Sequence, residues 1–275
     1  MKDLLNVAFI PVRGGSKSIP MKNIKEICGQ PLVYWVIDAA IDCKYIHRVY
    51  ISTDSDVIKQ KILEYKQRKL KFNKNVEKVE CIERSKYTAT DEATTESAML
   101  EFGQRYLFDN IILIQATSPL LSTNDLDNAM EKYLNNEYDS LLSVVEQKRF
   151  IWEVQEDGLV KPVNYNPCNR PRRQEFKGFL VENGAFYITK RELLLNNKVR
   201  ISGNIGYYVM PEETYFELDE PNDWIIVENL LRNKKHNEDL INKISKIKLV
   251  AMDCDGVLTD GGMYYSEKGD ELKKF

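Results

Sequence analysis

The chain has 275 residues and a formal net charge of −3. This length allows one large or two small domains, and the interspersed charges predict no nucleic-acid partner. The five cysteines form no C-x-x-C pair and the chain starts M-K-D-L-L-N, so we expect a cytoplasmic protein without a signal peptide. No stretch approaches the roughly 18 apolar residues of a membrane span, so no membrane partner is expected either.

A glycine-rich loop follows the first apolar run, where R-G-G-S-K comes directly after V-A-F-I-P-V. Gly14 and Gly15 allow a ligand to approach the backbone closely. Arg13 and Lys17 supply positive charge, and the amides around Ser16 can donate hydrogen bonds to phosphate oxygens. The spacing matches neither G-x-G-x-x-G nor G-x-x-x-x-G-K-[ST]. On the residues alone, both a phosphate-binding loop and a solvated turn stay open.

Apolar strands and amphipathic helices alternate over the first 145 residues of the chain. Strands are predicted at 7–12, 48–52, 76–82, 110–114 and 140–145. Helices are predicted at 31–41, 56–65, 92–107 and 122–134, the last one from an S-x-x-D start signal. This alternation predicts an α/β fold with an open, doubly wound, mostly parallel sheet.

Three polar segments follow strands of this predicted sheet directly. They are R-G-G-S-K, S-T-D and Q-A-T-S-P. Ligands of open α/β sheets bind outside the carboxyl ends of the strands, so we expect the three segments to line one crevice. The basic residues 66–75 are interpreted as a solvated helix end and loop rather than an anion site.

Several motifs resemble those of the N-acylneuraminate cytidylyltransferases, the enzymes that make CMP-sialic acids. They are R-G-G-S-K with I-P-M-K-N-I, then I-Q-A-T-S-P, N-R-P-R-R-Q, E-N-G-A-F-Y-I and E-L-D-E-P-N-D, in family order between residue 7 and residue 230 or so. Several are most similar to the animal-type, two-domain enzymes. The resemblance implies a Rossmann-type fold like that of nucleotide-diphospho-sugar transferases, and a reaction of CTP with a sialic acid-type sugar.

The resemblance also implies roles for individual residues. Catalytic residues would be Lys17, Arg13 and Asp219. The nucleotide would be bound by Arg13, Gly14, Gly15, Ser16, Lys17, Asn23, Arg84, Thr95 and Gln115. The sugar would be bound by Gln115, Arg172, Arg173 and Asn183.

The two adjacent arginines of N-R-P-R-R-Q have a chemical reason to recognise the sugar. A sialic acid carries a carboxylate, which a guanidinium binds in a planar, bidentate way. On the residues alone, a solvated basic loop would explain Arg172 and Arg173 equally well. In the family this region reaches a neighbouring subunit, which implies a homodimer or homotetramer.

Two carboxylates precede a helix that is expected to begin near Pro221. Glu217 and Asp219 would point to the same face of an extended backbone, where they could hold a divalent cation through oxygen ligands. The family motif is usually D-x-D and its metal is Mg²⁺; here the first member is Glu, which could reach a metal through water. Helix capping explains the next carboxylates, Glu220 and Asp223.

The last part of the chain resembles the start of a different enzyme. A cytidylyltransferase domain is predicted over 1–235 and a linker over 236–246. Residues 247–275 resemble the N-terminal fragment of a haloacid-dehalogenase-like phosphatase of the sugar-acid type, with Asp253 as the phosphoryl-accepting nucleophile and Asp255 as the acid/base. An acidic strand-end loop is the alternative. Since the later phosphatase motifs are missing from this sequence, we expect no phosphatase activity from it.

The sequence favours a cytidylyltransferase and leaves two other functions open. One is sugar-acid 9-phosphate phosphatase activity from the C-terminal domain of a longer chain. The other is a non-catalytic nucleotide-binding protein, which rests on the Glu at position 217. Histidine triads and histidine-rich metal sites are not expected, because His47 and His236 lie among polar residues without a partner pattern.

Overall fold

The structure is a computed structural model that describes residues 4–16, 18–249, 258, 262 and 264–272. It divides into two compact units, residues 1–232 and 233–275. The predictions for Lys17, Asp253 and Asp255 lie outside the described residues and stay predictions.

The main secondary-structure elements follow the predicted alternation of strands and helices. The strands are β1 (Asn6–Pro11), β2 (Glu26–Ile27), β3 (Gln30–Pro31), β4 (Arg48–Thr53), β5 (Val79–Glu83), β6 (Asn110–Ile114), β7 (Ser140–Gln147), β8 (Trp152–Val154), β9 (Val160–Pro162), β10 (Phe179–Lys190), β11 (Ile205–Val209), β12 (Tyr264–Tyr265) and β13 (Glu271–Leu272). The helices are α1 (Leu32–Asp42), α2 (Asp56–Lys69), α3 (Thr95–Arg105), α4 (Thr123–Asn135), α5 (Arg191–Asn197) and α6 (Pro221–Ile244).

Seven strands form one sheet in the order β11-β7-β10-β6-β1-β4-β5. β1 is parallel to both of its neighbours, β4 and β6. β10 is antiparallel to both β6 and β7. The predicted mostly parallel sheet is therefore confirmed, with one antiparallel strand inside it. A helical crossover is absent between β7 and β10; residues 148–178 connect them instead, so the chain returns in the opposite direction.

Both faces of the sheet are covered, which explains why its central strands are apolar throughout. Ala8 and Ile10 of β1 pack in one cluster with residues of α1, α2 and α4. Val7 and Phe9 point the other way and pack with residues of α3 and α5. The rings of Phe9 and Phe102 stack with their centroids 4.8 Å apart. Truncating such a buried phenylalanine costs about 3–5 kcal/mol, so β1 is fixed firmly beneath the loop that follows it.

Side-chain caps define where two of the helices start. The predicted S-x-x-D signal is a capping box, in which the Ser122 side chain accepts from Asp125 N and the Asp125 side chain accepts from Ser122 N. α3 begins three residues later than predicted, because Thr94 is the cap and accepts from Ser97 N. β5 also begins three residues late, since residues 74–78 form a 3₁₀ helix. Residues 66–75 contain the end of α2 and the following loop, as interpreted from the sequence.

α6 continues through most of residues 236–246, which the sequence predicts as a linker. Within the second unit, β12 and β13 form a short antiparallel hairpin. None of the described helices has the length and apolar character that a membrane span needs.

Candidate active site

The segments that follow β1, β4 and β6 meet at one edge of the sheet, as predicted. Gly14 N donates to Asp54 Oδ1 at 2.9 Å, which joins the loops after β1 and β4. Leu218 N donates to Thr117 O at 3.0 Å, and Lys22 Nζ donates to Leu218 O at 2.6 Å. The segment around Leu218 thus connects the loop after β6 with the chain that follows the glycine-rich loop. The three segments therefore lie together at one edge of the sheet, and the ligand crevice between them stays a prediction.

The glycine-rich loop is held from below by a buried side chain. Asn23 is 9% exposed, and its Nδ2 donates to Arg13 O at 3.1 Å. A Cβ on Gly14 would lie 2.9 Å from the Ser55 Cβ, so this position needs glycine for close approach. A Cβ on Gly15 would meet nothing within 4 Å. Asn23 therefore supports the loop, and its predicted contact with CTP stays a prediction.

Arg84 lies at the start of the segment that joins β5 to α3. It is 7% exposed, its backbone N donates to Thr53 O at 2.9 Å, and its guanidinium donates to Thr88 O. Its Nε is buried and has no hydrogen-bond partner among the described residues. Burial lowers the pKa of Arg84, against the opposing effect of the Asp54 carboxylate. Arg84 is therefore a buried cation whose Nε donor is unpaired within the described residues.

The other nucleotide candidates occupy ends of elements at the same edge of the sheet. Thr95 is the first residue of α3 and is half-buried. Gln115 follows β6 directly, where its N donates to Ala185 O at 3.1 Å and its O accepts from Ser118 N at 3.2 Å. Ser16 is half-buried in the glycine-rich loop. These contacts fix the backbone of Gln115, and the described structure gives no hydrogen bond to its side chain.

β10 has a bulge at this edge of the sheet. Glu182 pairs with Val144 and Tyr187 pairs with Leu142, so five residue steps on β10 face two on β7. Gly184, inside the bulge, has a φ of +65°, which favours glycine. The bulge brings Gly184 against the side chain of Glu217, since a Cβ there would lie 2.7 Å from Glu217 Cδ.

Asn183, the first residue of the bulge, is 1% exposed. Its Nδ2 donates to Thr214 Oγ1 at 3.0 Å and lies 3.3 Å from Met210 Sδ. Its Oδ1 is buried without a hydrogen-bond partner among the described residues. The amide nitrogen of Asn183 is therefore engaged inside the protein, and the predicted sugar contact of this residue stays a prediction.

The carboxylates Glu217 and Asp219 lie in different surroundings. Burial, with the added effect of the Asp219 charge, raises the pKa of Glu217 to about 7, although Lys22 lowers it. The Asp219 side chain is 68% exposed and accepts from Lys22 Nζ at 3.2 Å. In the described part of the chain, no group of three or more Asp, Glu, His or Cys residues could hold a metal ion.

The oxygen donors of Glu217 and Asp219 fit Mg²⁺ nonetheless. Mg²⁺ is commonly bound through one or two carboxylates, with substrate phosphates and waters as its other ligands. The Asp219 charge raises the pKa of Glu217 because two adjacent carboxylates resist being ionised together. A divalent cation would remove that repulsion.

Arg172 and Arg173 lie on the long connection between β7 and β10, and both are exposed. Arg173 Nη2 is 4.0 Å from Glu212 Oε1, with both side chains mostly exposed. The Arg172 carbonyl accepts from Glu175 N and Phe176 N at 3.0 Å. Within the described residues, the structure gives neither arginine a contact with the other predicted site residues.

Lys22 is a candidate that the sequence analysis missed. Its side chain is 12% exposed, and its ammonium bridges Leu218 O and the Asp219 carboxylate. A nearly buried lysine at this edge places positive charge beside the predicted metal ligands. The signal for Lys22 lies in I-P-M-K-N-I, a motif in which the resemblance implies a role only for Asn23.

A mostly parallel sheet with polar loops at its carboxyl edge defines the chain as an open α/β protein of the class that binds ligands at this edge. Residues 7–251 match the family model described as cytidylyltransferase. The chain belongs to the cytidylyltransferase family.

Curated relatives come from animals and bacteria. The chain is 36% identical to N-acylneuraminate cytidylyltransferase A of Danio rerio over 270 residues, which cover 96% of this chain and 59% of that protein. It is 30% identical to post-translational flagellin modification protein B of Campylobacter coli over 235 residues, covering 82% of this chain and 94% of that protein. The chain thus spans 59% of the length of the first of these relatives.

Two solved structures share the fold of this chain. CMP:2-keto-3-deoxy-manno-octonic acid synthetase complexed with CTP superposes with a TM-score of 0.60 and 17% identity, covering 84% of this chain and 99% of that one. The 4-diphosphocytidyl-2C-methyl-D-erythritol synthase of Anaerococcus prevotii superposes with a TM-score of 0.59 and 11% identity, covering 84% and 97%. At these identities the likeness concerns the fold, and it confirms the predicted Rossmann-like class.

Proposed function

We propose that the protein is a CTP-dependent cytidylyltransferase for an N-acylneuraminate-type sugar acid. The anomeric hydroxyl oxygen attacks the α-phosphorus of CTP, a new P–O bond forms, and the bond to the β-phosphate oxygen breaks. The products are a CMP-sugar and pyrophosphate, and the hydroxyl proton passes to solvent. The printed name of the Danio rerio relative supports this class of substrate. The observation that carries the proposal is that Lys22 links the glycine-rich loop side of the crevice to the carboxylate Asp219.

The nucleotide side of this crevice is built from cations and backbone amides. Transfer of a phosphoryl-type group needs mainly positioning and charge neutralisation. Arg13 and Lys17 would neutralise the phosphates, and Gly14, Gly15 and Ser16 would present amides to them. Arg84, Thr95 and Gln115 would contact the nucleotide. The buried, unpaired Nε of Arg84 supports its part, since such donors are rare unless a ligand or water pairs with them.

We propose Mg²⁺ as the cofactor, with Asp219 as a ligand and Glu217 as a second ligand. When bound, the ion would neutralise charge that develops on the phosphates. The chain's own contribution is to hold the two carboxylates at the crevice. Gly184 fixes the place of Glu217 by close contact, and Lys22 holds Asp219.

The sugar side involves the exposed connection between β7 and β10. Arg173 and Arg172 would bind the sugar carboxylate, with Gln115 and Asn183 on the inner side. Arg170 stacks on Phe150 at 4.5 Å, and Phe150 packs on Tyr165 at 4.3 Å, so this connection has a small aromatic core of its own.

We also propose that this connection contacts a second copy of the chain in a homodimer or homotetramer. It exposes apolar side chains on its hairpin: Trp152, Val154, Leu159, Val160 and Val163. Apolar patches of this kind mark interaction sites. Sedimentation velocity would show the assembly, and a monomer at micromolar concentration would contradict it.

A cytoplasmic location is proposed as well, because Cys43, Cys81 and Cys168 are thiols rather than disulfides.

The proposed reaction is tested by measuring pyrophosphate release with CTP, Mg²⁺ and a panel of sugar acids. The panel contains N-acetylneuraminic acid, its deaminated relative and a bacterial nonulosonate. We expect release that requires both CTP and one of these acids, at a rate that falls with Asp219→Asn. Binding of CTP without release in the presence of any acid would support the non-catalytic alternative and contradict the proposal.

A further inference from the structure

In the described part of the chain, protein groups hold the Arg13 guanidinium through Nη1 alone. Nη1 donates to Thr90 O at 3.0 Å and to Asp91 Oδ1 at 2.6 Å. Within the described residues, Nε and Nη2 make no hydrogen bond to the protein. These two nitrogens form the edge of a guanidinium that can donate two parallel hydrogen bonds to a phosphate or carboxylate. The contacts at Nη1 therefore leave the Nε and Nη2 edge available to a ligand.

The Glu101 carboxylate of α3 helps to anchor the segment that carries Thr90 and Asp91. Glu101 Oε2 accepts from Ser85 Oγ at 2.9 Å and from Thr88 Oγ1 at 2.6 Å, while Glu101 Oε1 accepts from Ser85 N at 3.2 Å. Because these bonds fix the turn over residues 85–89, the following bend that contains Asp91 has a defined position. The backbone that carries Asp91 is thus held in place.

The backbone of Arg13 is fixed as well. Its carbonyl accepts from Asn23 Nδ2, and the next amide, of Gly14, donates to Asp54. With both ends of the ion pair supported, the contact with Asp91 determines where the long Arg13 side chain points. The two side chains are 32% and 36% exposed, and pairs at such exposure add little to stability. The contribution of the pair is therefore to orientation.

We propose that Asp91 is a positioning residue that aims the Nε and Nη2 edge of Arg13 at a phosphate of CTP. Asp91 does not itself touch the nucleotide. It holds Nη1 and thereby removes the rotamer freedom that Arg13 would otherwise lose on binding. This inference rests on the proposed function, because it names how the proposed phosphate site is prepared.

The test compares Asp91→Asn with a matched control in the full chain. Asp91→Asn keeps the shape of the side chain and removes its charge. The control is Glu64→Gln, which removes the charge from the Lys61–Glu64 ion pair, 2.8 Å long and 42% and 47% exposed on α2. Binding of CTP and of cytidine is measured by titration calorimetry with Mg²⁺ present, and urea unfolding reports stability.

We expect Asp91→Asn to weaken CTP binding about tenfold, because the hydrogen bond that orients Arg13 loses its charged acceptor. Cytidine, which has no phosphate, should bind Asp91→Asn as it binds the wild type, and KM for the sugar acid should not change. Glu64→Gln should leave all three values unchanged. Arg13→Lys should remove the effect, so that Asp91→Asn adds no further loss to it.

Three results would overturn the inference. They are unchanged CTP binding by Asp91→Asn, an equal loss for CTP and cytidine, or tighter CTP binding, which would make Asp91 a competitor of the phosphate. These binding measurements do not depend on turnover. If the wild type binds CTP but releases no pyrophosphate with any sugar acid, the proposed function fails while the role of Asp91 is still decided by the binding data.

Discussion

The carboxylate of Glu217 lies against the Cα of Gly184, so closely that a Cβ on Gly184 would stand 2.7 Å from Glu217 Cδ. Gly184 has a φ of +65° inside the bulge of β10. The bulge and the carboxylate are therefore fitted to each other. Because Gly184 has no side chain, the half-buried Glu217 carboxylate has room against β10. Gly184 and Glu217 lie 33 positions apart in the sequence.

Gly184→Ala should disturb this relationship in two ways. The positive φ alone should cost about 1–2 kcal/mol of unfolding free energy, and the clash should displace the Glu217 carboxylate. The matched control is Gly29→Ala, where φ is +86° but a Cβ would meet nothing within 4 Å. Urea unfolding and turnover are measured for both variants. We expect similar losses of stability from φ, with a clear loss of turnover for Gly184→Ala only. Equal turnover in the two variants would contradict the fitted placement of Glu217.

The metal prediction concerns Asp219. Asp219→Asn removes a charged oxygen ligand and should lower turnover at least about a hundredfold at limiting Mg²⁺, the scale of losing one group that stabilises transition-state charge. Glu217→Asp should be mild by comparison. The control is Glu220→Gln, which removes the exposed carboxylate next to Asp219 and should keep normal turnover. The metal assignment is wrong if Asp219→Asn matches Glu220→Gln across a Mg²⁺ titration.

The sugar prediction uses the difference between guanidinium and ammonium. Arg173→Lys preserves the charge but loses the bidentate fork, so KM for the sugar acid should rise while KM for CTP stays near its original value. Arg48→Lys, an exposed arginine at the start of β4 on the opposite edge of the sheet, is the control. A parallel rise of both KM values for Arg173→Lys would remove this arginine from the sugar site.

The carboxylate of Glu101 gives a prediction about pH. Burial alone would raise its pKa, but hydrogen bonds from Thr88 and Ser85 and the charge of Arg105 outweigh burial and hold the pKa below its ordinary 4.5. A carboxylate with a lowered folded pKa stabilises the protein above its unfolded pKa, and this contribution is lost as pH falls through the folded pKa. The free energy of unfolding of the wild type should therefore fall with pH below 4.5 or so.

Glu101→Gln tests this contribution. At pH 7 the variant should lose about 1.5–3 kcal/mol of unfolding free energy, the range for hydrogen bonds to a charged group. Its stability should also depend less on pH in the acid range, because the group that titrates is gone. Glu131→Gln, on the exposed side of α4, should stay within about 0.5 kcal/mol of the wild type. Parallel pH curves for Glu101→Gln and the wild type would show that Glu101 is not the source.

The sequence predicted the elements that depend on local patterns. β6 begins and ends at the predicted residues, and the capping box at Ser122 marks the start of α4. Strand β10 was missed because its direction depends on pairing with both β6 and β7, a relationship that no local pattern records. Its apolar half could be recognised as E-N-G-A-F-Y-I, but not its antiparallel placement.

The site was predictable to the extent that its residues follow strands directly. Gly14, Asp54 and Thr117 lie in segments that follow strands, so the sequence alone predicts that they share one edge of the sheet. Their contacts agree with this prediction. The hydrogen bonds that hold the site residues in place could not be predicted in the same way. The bonds of Lys22 to Leu218 and Asp219 join residues almost 200 positions apart, and only the folded chain shows them.

In the proposed reaction, one CTP and one sugar acid give one CMP-sugar and one pyrophosphate. The most direct measurement is a ³¹P NMR time course of the wild-type protein with CTP, Mg²⁺ and N-acetylneuraminic acid or another acid of the panel. We expect the CTP signals to decay into those of a phosphodiester and pyrophosphate in equal amounts, and we expect no change when the sugar acid is left out. Formation of free CMP with pyrophosphate, or loss of CTP without any acid, would contradict it.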